Sequence, residues 1–388
     1  MTRTLLAAAL VCAAASTASA QEKLKIGMMA TLSGPAAVLG QHMRDGFQLG
    51  LRHLGGKLGG LEAEVIVADD ELKPDVGVQK MQGLLERDKV DVVVGVIFSN
   101  VMMAVAKPVF DSKTVLVSPN AGPSPLAGRA CSPWFVSTAW QNDQNHEAMG
   151  KYAQDAGFKK VVLVAPNYQA GKDAAVGFKT FFKGEVADEI FTQLGQLDFS
   201  AELARIASAK PDGVLVFMPG AMGVNLVKQY RQAGLAETVP FLSVWTVDET
   251  TLPATRDAAV GLFSGSQWTP DLDNPANKAF VAAFEREYGY VPSNFASQAY
   301  DAGKLIDSAV RAVGSRLSDK DALRAALRKA EFASTRGDFR YNKNHFPIQD
   351  FYLVKAAQRA DGKYQTEMVR KVFDDYADPQ APNCPMTW

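Results

Sequence analysis

Apolar residues run along this chain in short blocks, each closed by a cluster of Gly, Pro, Ser or Asn. In KLKIGMMATLSGP, Leu24, Ile26 and Met28 alternate at period two, Ser33-Gly34-Pro35 breaks the run, and residues 40–50 turn helical. The plan returns in VDVVVGVIFSNVMMAVAKPV and TVLVSPNAGPSP, then three more times in KKVVLVAPNYQAGKDAAVGF, PDGVLVFMPGAMGVNLVKQY and VPFLSVWTVDETTL. Amphipathic stretches at 75–87, 202–208 and 223–234 separate the strands. Residues 92–96 and 161–164 are apolar at nearly every position, as in a parallel sheet covered by helices on both faces. This alternation predicts an α/β fold of two doubly wound, Rossmann-like lobes.

After Trp268 the pattern becomes helical, at 274–288, 294–313 and 318–329. A β-like passage at 338–341 and 350–354 then precedes a tail rich in Asp and Pro, expected to lie extended on a domain surface. Helices from the far end of the chain complete the first lobe only if the backbone crosses between lobes three times. Ligands of open α/β sheets sit at the carboxyl ends of strands. Six such loops, three from each half, therefore face one cleft.

The first residues read as a signal peptide, 1–20. Arg3 supplies the charge, residues 5–15 the apolar stretch, and Ala18-Ser19-Ala20 a cleavage site after Ala20. About fifteen apolar or small residues fall short of the roughly 20 needed to span a bilayer. Cys12 follows Val11, where a lipoprotein needs a small residue. The expected location is the periplasm. Without the leader, 40 basic residues face 42 acidic ones, which leaves no electrostatic footprint for nucleic acid. The remaining 368 residues exceed one comfortable core, so two domains are expected.

Cys131 and Cys384 are the only cysteines beyond the leader. In an oxidising compartment they read as a disulfide that ties the tail to the middle of the chain, the alternative being two unpaired thiols. No G-x-S-x-G is present, and His42, His53, His146 and His345 form no metal-binding spacing. Gly171-Lys172 lacks a phosphate loop's partners, with Pro166 and Asp173 in the wrong places. The chain reads as a non-enzyme with no metal and no cofactor.

The segments LSGPAAVLG (32–40), GVIFSN (95–100), SPNAGPSPL (118–126), NYQAGKD (167–173), MGVNLVKQYRQAGL (222–235) and QAYDA (298–302) together resemble type I periplasmic solute-binding proteins of branched-chain amino acid ABC transporters. The resemblance spans essentially all of the chain after the leader. It implies two lobes, hinge crossings near 138–141, 265–268 and 340–346, and closure around a solute. The lobes would comprise 21–138 plus 268–341, and 139–267 plus 342–388 with a disulfide-tethered tail. It also implies membrane permease subunits as partners and a monomeric protein.

Leucine binders of this family hold the α-carboxylate with a Ser, backbone amides and a Thr, and meet the ammonium with an acid from the second lobe. Ser99 matches the family serine, with a helix N-cap alone as the plainer role. Ala121 matches a backbone-contacting position, and Gly122 stands in place of the threonine, with Asn120 as a substitute. Trp245 stands in place of the acid and Gly220 in place of a tyrosine. An indole cannot neutralise a buried ammonium, and leaving it unpaired costs several kcal/mol. The expected ligand therefore lacks an α-amino group, unless Asp248 supplies the charge; Asp248 reads equally well as a helix cap.

Phe98, Tyr168, Trp245 and Trp268 make the predicted loops aromatic, which suits a flat ligand. The loops NYQAGKD and SVWTVDE resemble a subgroup that carries aromatic carboxylates such as hydroxybenzoates, phenylpropenoids and aryl 2-oxo acids. In the expected site Ser99, Asn120, Ala121 and Gly122 surround the carboxylate. Leu39, Phe98, Tyr168 and Trp245 sandwich the ring, Gln41, Asp248 or Gln298 meets a ring hydroxyl, and Met218 and Trp268 complete the wall. An aliphatic amino acid or amide binder using Asp248, and a periplasmic ligand sensor, are the alternatives.

Overall fold

The structure, a computed structural model, describes residues 23–387. The leader and its cleavage site after Ala20 lie outside the described residues. The first sheet is built from β1 (Leu24–Ala30), β2 (Lys57–Leu58), β3 (Leu61–Asp69), β4 (Val92–Gly95), β5 (Val115–Ser118) and β6 (Phe135–Ser137), in the order β2-β3-β1-β4-β5-β6. All its pairings are parallel except the β2-β3 hairpin. The second contains β7 (Lys160–Pro166), β8 (Glu185–Thr192), β9 (Gly213–Val216), β10 (Phe241–Ser243), β11 (Phe263–Ser266), β12 (Arg340–Tyr341), β13 (Pro347–Gln358) and β14 (Tyr364–Tyr376). Its order is β12-β13-β11-β10-β9-β7-β8, with β14 added on β13. Every residue of β4, β5, β9 and β10 is buried, which is why these blocks show no polar alternation. The fold is two Rossmann-like lobes.

Helix Ala37–His53 packs along helix Asn294–Ala312, so the far end of the chain covers the first sheet. Phe47, Phe295, Ala302 and Ile306 share one core with the strands of that sheet. The chain leaves the first sheet after Ser137, and helix Asn142–Asp155 packs against β11 and β13 of the second. It leaves the second after Ser266 and returns to it at β12.

The tail differs from the sequence expectation. Strand β13 runs on to Gln358, and β14 pairs with it in an antiparallel hairpin instead of lying loose on a surface. This strand carries Glu367, Arg370, Lys371 and Asp374, charges suited to an exposed edge that hide period-two alternation. Cys384 then bonds to Cys131, which lies between β5 and β6, so the end of the chain is fastened beside the first sheet.

Under the tail lies a buried acidic group. Burial, with the neighbouring Asp143, pushes Glu147 up to about 8. Burial and Asp173 push Asp143 up to about 6, and burial pushes Asp378 up to about 7. Between the ordinary carboxyl range and these values the folded protein keeps protons that the unfolded chain releases, so stability falls as pH rises. Buried His42, His146 and His345 have lowered values and act in the opposite sense only below about pH 6.5. A melting temperature that falls from pH 6.5 to 8.5 is expected. At about 1.4 kcal/mol per retained proton per pH unit, Glu147 alone accounts for about 2 kcal/mol of the decline. Glu147→Gln should flatten the profile; an unchanged slope would exonerate this carboxyl.

Candidate functional site

Helix Ser99–Asp111 starts immediately beyond β4, and buried Val101, Met102, Val105 and Val109 fasten it to the sheet. Its first intrahelical bond runs from Met102 N to Phe98 O (2.9 Å), so the amides of Ser99, Asn100 and Val101 are left at the positive end of the helix. Asn142 Nδ2 donates to Ser99 Oγ (3.0 Å) and to Asp173 Oδ2 (2.8 Å), while Asn142 Oδ1 accepts from Gly122 N (3.2 Å). Because Ser99 Oγ already accepts one bond, its own proton is available to a ligand. Burial raises Asp173, with hydrogen bonds from Asn142 and Gln169 opposing.

Ser99 and Asn142 open on a cavity between the lobes. Phe98, Trp140, Tyr168, Phe217, Trp245 and Phe295 put six aromatic rings in its wall. Trp140 and Trp245 lie 4.4 Å apart at 30°, and Trp245 also approaches Phe295. Tyr168 stacks on Phe217 and tilts against Phe98, while His146 stands edge-on to Phe217. Trp245 holds a left-handed φ of 54°, a conformation of some cost for a non-glycine residue and one that clusters at ligand sites. Among the described residues, no Asp, Glu, Lys or Arg lines the cavity.

Leu39, Phe98, Ser99, Asn120, Ala121, Tyr168 and Trp245 meet in this wall, as expected from the sequence. The other six expected residues do not line it. Gln41 is exposed on its helix. Met218 packs into the core of the second sheet, and its amide donates to Thr246 Oγ1 (2.8 Å). Phe217, one residue earlier and on the opposite face, takes the cavity position. Asp248 Oδ1 accepts from the amide and hydroxyl of Thr250, the capping role, and burial raises its carboxyl. Trp268 Nε1 donates to Asn277 Oδ1 (2.7 Å), and its ring packs on Phe280 in a separate core. Gln298 is buried in helix Asn294–Ala312, where its carbonyl accepts from Thr138 Oγ1 (3.0 Å).

Gly122 is closely packed. A Cβ there would stand 2.1 Å from Trp140 O and 2.9 Å from the Phe346 ring, so no threonine fits on this backbone. Its amide donates to Asn142 Oδ1 and that of Ala121 to Val96 O (3.2 Å). Asn120 donates Nδ2 to Ile97 O (2.6 Å) and keeps Oδ1 unpartnered. Gly220 has φ 66°, a backbone conformation that side-chain-bearing residues rarely adopt, so a tyrosine there would be strained; a Cβ would stand in ordinary contact, 3.6 Å from Ala36 and from the Pro35 carbonyl.

The periplasmic binding protein family model matches residues 23–363. The chain belongs to this family. A solute-binding protein of an ABC transporter from R. palustris, solved with benzoate, is 34% identical, with a TM-score of 0.89 over 94% of this chain and all of that one. A second, from Rhodopseudomonas palustris BisB5 with 3,4-dihydroxybenzoic acid, is 30% identical, with a TM-score of 0.86 over 92% of this chain and 99% of that one. The Leu/Ile/Val-binding protein homolog 6 of Brucella melitensis is 29% identical over 98% of this chain and 99% of its own length. This binding protein is thus an ABC-transporter solute-binding protein of the Leu/Ile/Val-binding family. Among the described residues no helix is long and apolar enough to cross a membrane.

Trp140, Asn142, His146, Phe217 and Phe295 line the cavity without having been expected there. Residues 142–150 are buried throughout although mostly polar, so helix Asn142–Asp155 shows no amphipathic stripe in the sequence. The run QNDQNHE after an aromatic residue, polar yet placed at an expected crossing, was the available signal.

Proposed function

We propose that this binding protein carries a small aromatic carboxylate, a hydroxybenzoate, phenylpropenoid or aryl 2-oxo acid, in the cleft between its lobes. The observation that carries the reading is a cavity with six aromatic rings in its wall, the Ser99 hydroxyl at a helix start and, among the described residues, no acid to meet an ammonium. The Ser99 hydroxyl and the start of its helix suit a carboxylate, whose charge a helix terminus favours. Two of the solved relatives bind benzoate and 3,4-dihydroxybenzoic acid. Contacts from both lobes would stabilise the closed state over the open one, and permease subunits of an inner-membrane transporter would read the closed form presented by a monomer in the periplasm.

An amino acid ligand needs Asp248, whose Oδ1 accepts from Thr250 and which is not among the residues lining the cavity. A thermal-shift panel of leucine, valine and urea against benzoate, 4-hydroxybenzoate, coumarate and phenylpyruvate separates the readings. At 100 times its dissociation constant a ligand stabilises by about 2.7 kcal/mol. Shifts with leucine and none with aromatic acids would overturn the proposal. Trp245→Ala is expected to weaken aromatic acid binding by at least ~1 kcal/mol by titration calorimetry, and unchanged affinity would remove that ring from the site.

A further inference from the structure

Resting on the aromatic acid reading, we infer that His146 is a specificity-determining residue of this cleft: its Nε2 accepts a hydrogen bond from a ring hydroxyl and so selects hydroxylated acids over unsubstituted ones.

His146 lies one turn after Asn142, is buried, and lines the cavity. Its Nδ1 is 2.9 Å from Asn142 O. A carbonyl oxygen only accepts, so Nδ1 carries the hydrogen, and the neutral ring presents a lone pair at Nε2. Burial lowers the imidazole to about 4, so it stays neutral in ordinary buffers. Nε2 has no partner among the described residues. The edge-on Phe217 ring, 5.2 Å away at 83°, holds the imidazole plane.

A bare lone pair repels a carboxylate and takes an O–H. The polar groups of the cavity thereby differ in kind: a donor at Ser99, an acceptor at His146. A hydroxylated aromatic acid can use both, while an unsubstituted one leaves Nε2 unpaired. Sites built to bond a ligand hydroxyl discriminate strongly against the analogue that lacks it, because the buried polar atom is then orphaned.

The test is calorimetric titration of the full-length mature protein with benzoate, 3- and 4-hydroxybenzoate, 3,4-dihydroxybenzoate, and the methoxy counterparts of the monohydroxy acids. At least one hydroxylated acid should bind wild type tenfold or more tighter than benzoate and than its methoxy counterpart, which cannot donate. His146→Phe should shrink that acid's advantage over benzoate tenfold or more, and His146→Gln, which keeps an acceptor, should retain most of the preference. Equal binding of benzoate and every hydroxylated acid by wild type, or a preference that survives in His146→Phe, overturns the inference and leaves the aromatic acid reading standing. Binding of none of these acids overturns both. If His146→Phe does not melt cooperatively, the hydroxy-to-methoxy ratio on wild type decides, a ratio near one being the overturning result.

Discussion

Arg336→Met is expected to lower the free energy of unfolding by about 3–5 kcal/mol, the range for removing one partner of a buried ion pair. The Arg336 and Asp301 side chains are 2% and 0% exposed. From one guanidinium, Nη2 donates to Thr138 O (2.6 Å) and Asp301 Oδ2 (3.2 Å), and Nη1 to Ala139 O (3.0 Å) and Gln349 Oε1 (2.9 Å). It therefore joins the segment that leaves β6, helix Asn294–Ala312 and strand β13. Methionine fills much of the volume but leaves those carbonyls and the buried Asp301 carboxylate short of donors. Asp301 retains only Ser334 Oγ, Thr335 Oγ1 and the Thr335 amide. Urea titration gives the loss, and the pair Arg336→Met with Asp301→Leu should recover much of it by removing both charges. A single-variant loss below about 1 kcal/mol would show that the guanidinium is not holding these segments together.

Breaking the Cys131–Cys384 bond is expected to cost about 2–5 kcal/mol. The two cysteines are 253 residues apart, and in the chain-entropy model a loop that long corresponds to at most about 5 kcal/mol, because the crosslink denies the unfolded chain so many conformations. The bond fastens the segment after β14 of the second sheet to the segment between β5 and β6 of the first. Neighbouring bonds follow the same path: Lys343 Nζ donates to Cys384 O (3.0 Å) and Asn344 Nδ2 to Ala127 O (2.8 Å). Urea unfolding with and without reductant, and of the paired Cys131→Ser, Cys384→Ser variant, measures the cost. A change below about 1 kcal/mol would mean that the hydrogen bonds hold the tail unaided.

Most of the fold was legible because its strands are buried on both faces. Residues 92–96 and 161–164 carry no competing polar signal, and the helices predicted at 274–288 and 294–313 appear at Pro275–Tyr288 and Asn294–Ala312. Strand β14 was not legible, since an exposed edge carries the charges that a loose tail also carries. In the site, Leu39, Phe98, Ser99, Asn120, Ala121, Tyr168 and Trp245 were readable because loops at strand ends project into the cleft wherever the sheets lie. Phe217 lines the cavity and Met218, the next residue, enters the core, because consecutive extended residues point to opposite faces.

The order of residues by itself determined the two α/β halves, the aromatic loop tips, and the lack of an acid at Trp245. These are local properties, set by periodicity and side-chain chemistry. Only the tertiary structure decided that Trp140, Asn142 and His146 enter the cavity from a buried polar helix, that Phe295 reaches it from far along the chain, and that Gly122 is closely packed. Each depends on what a distant segment leaves beside it. A polar side chain such as that of His146 has the same sequence signature on a surface as in a cleft, and its unpaired nitrogen becomes informative only when burial takes water away.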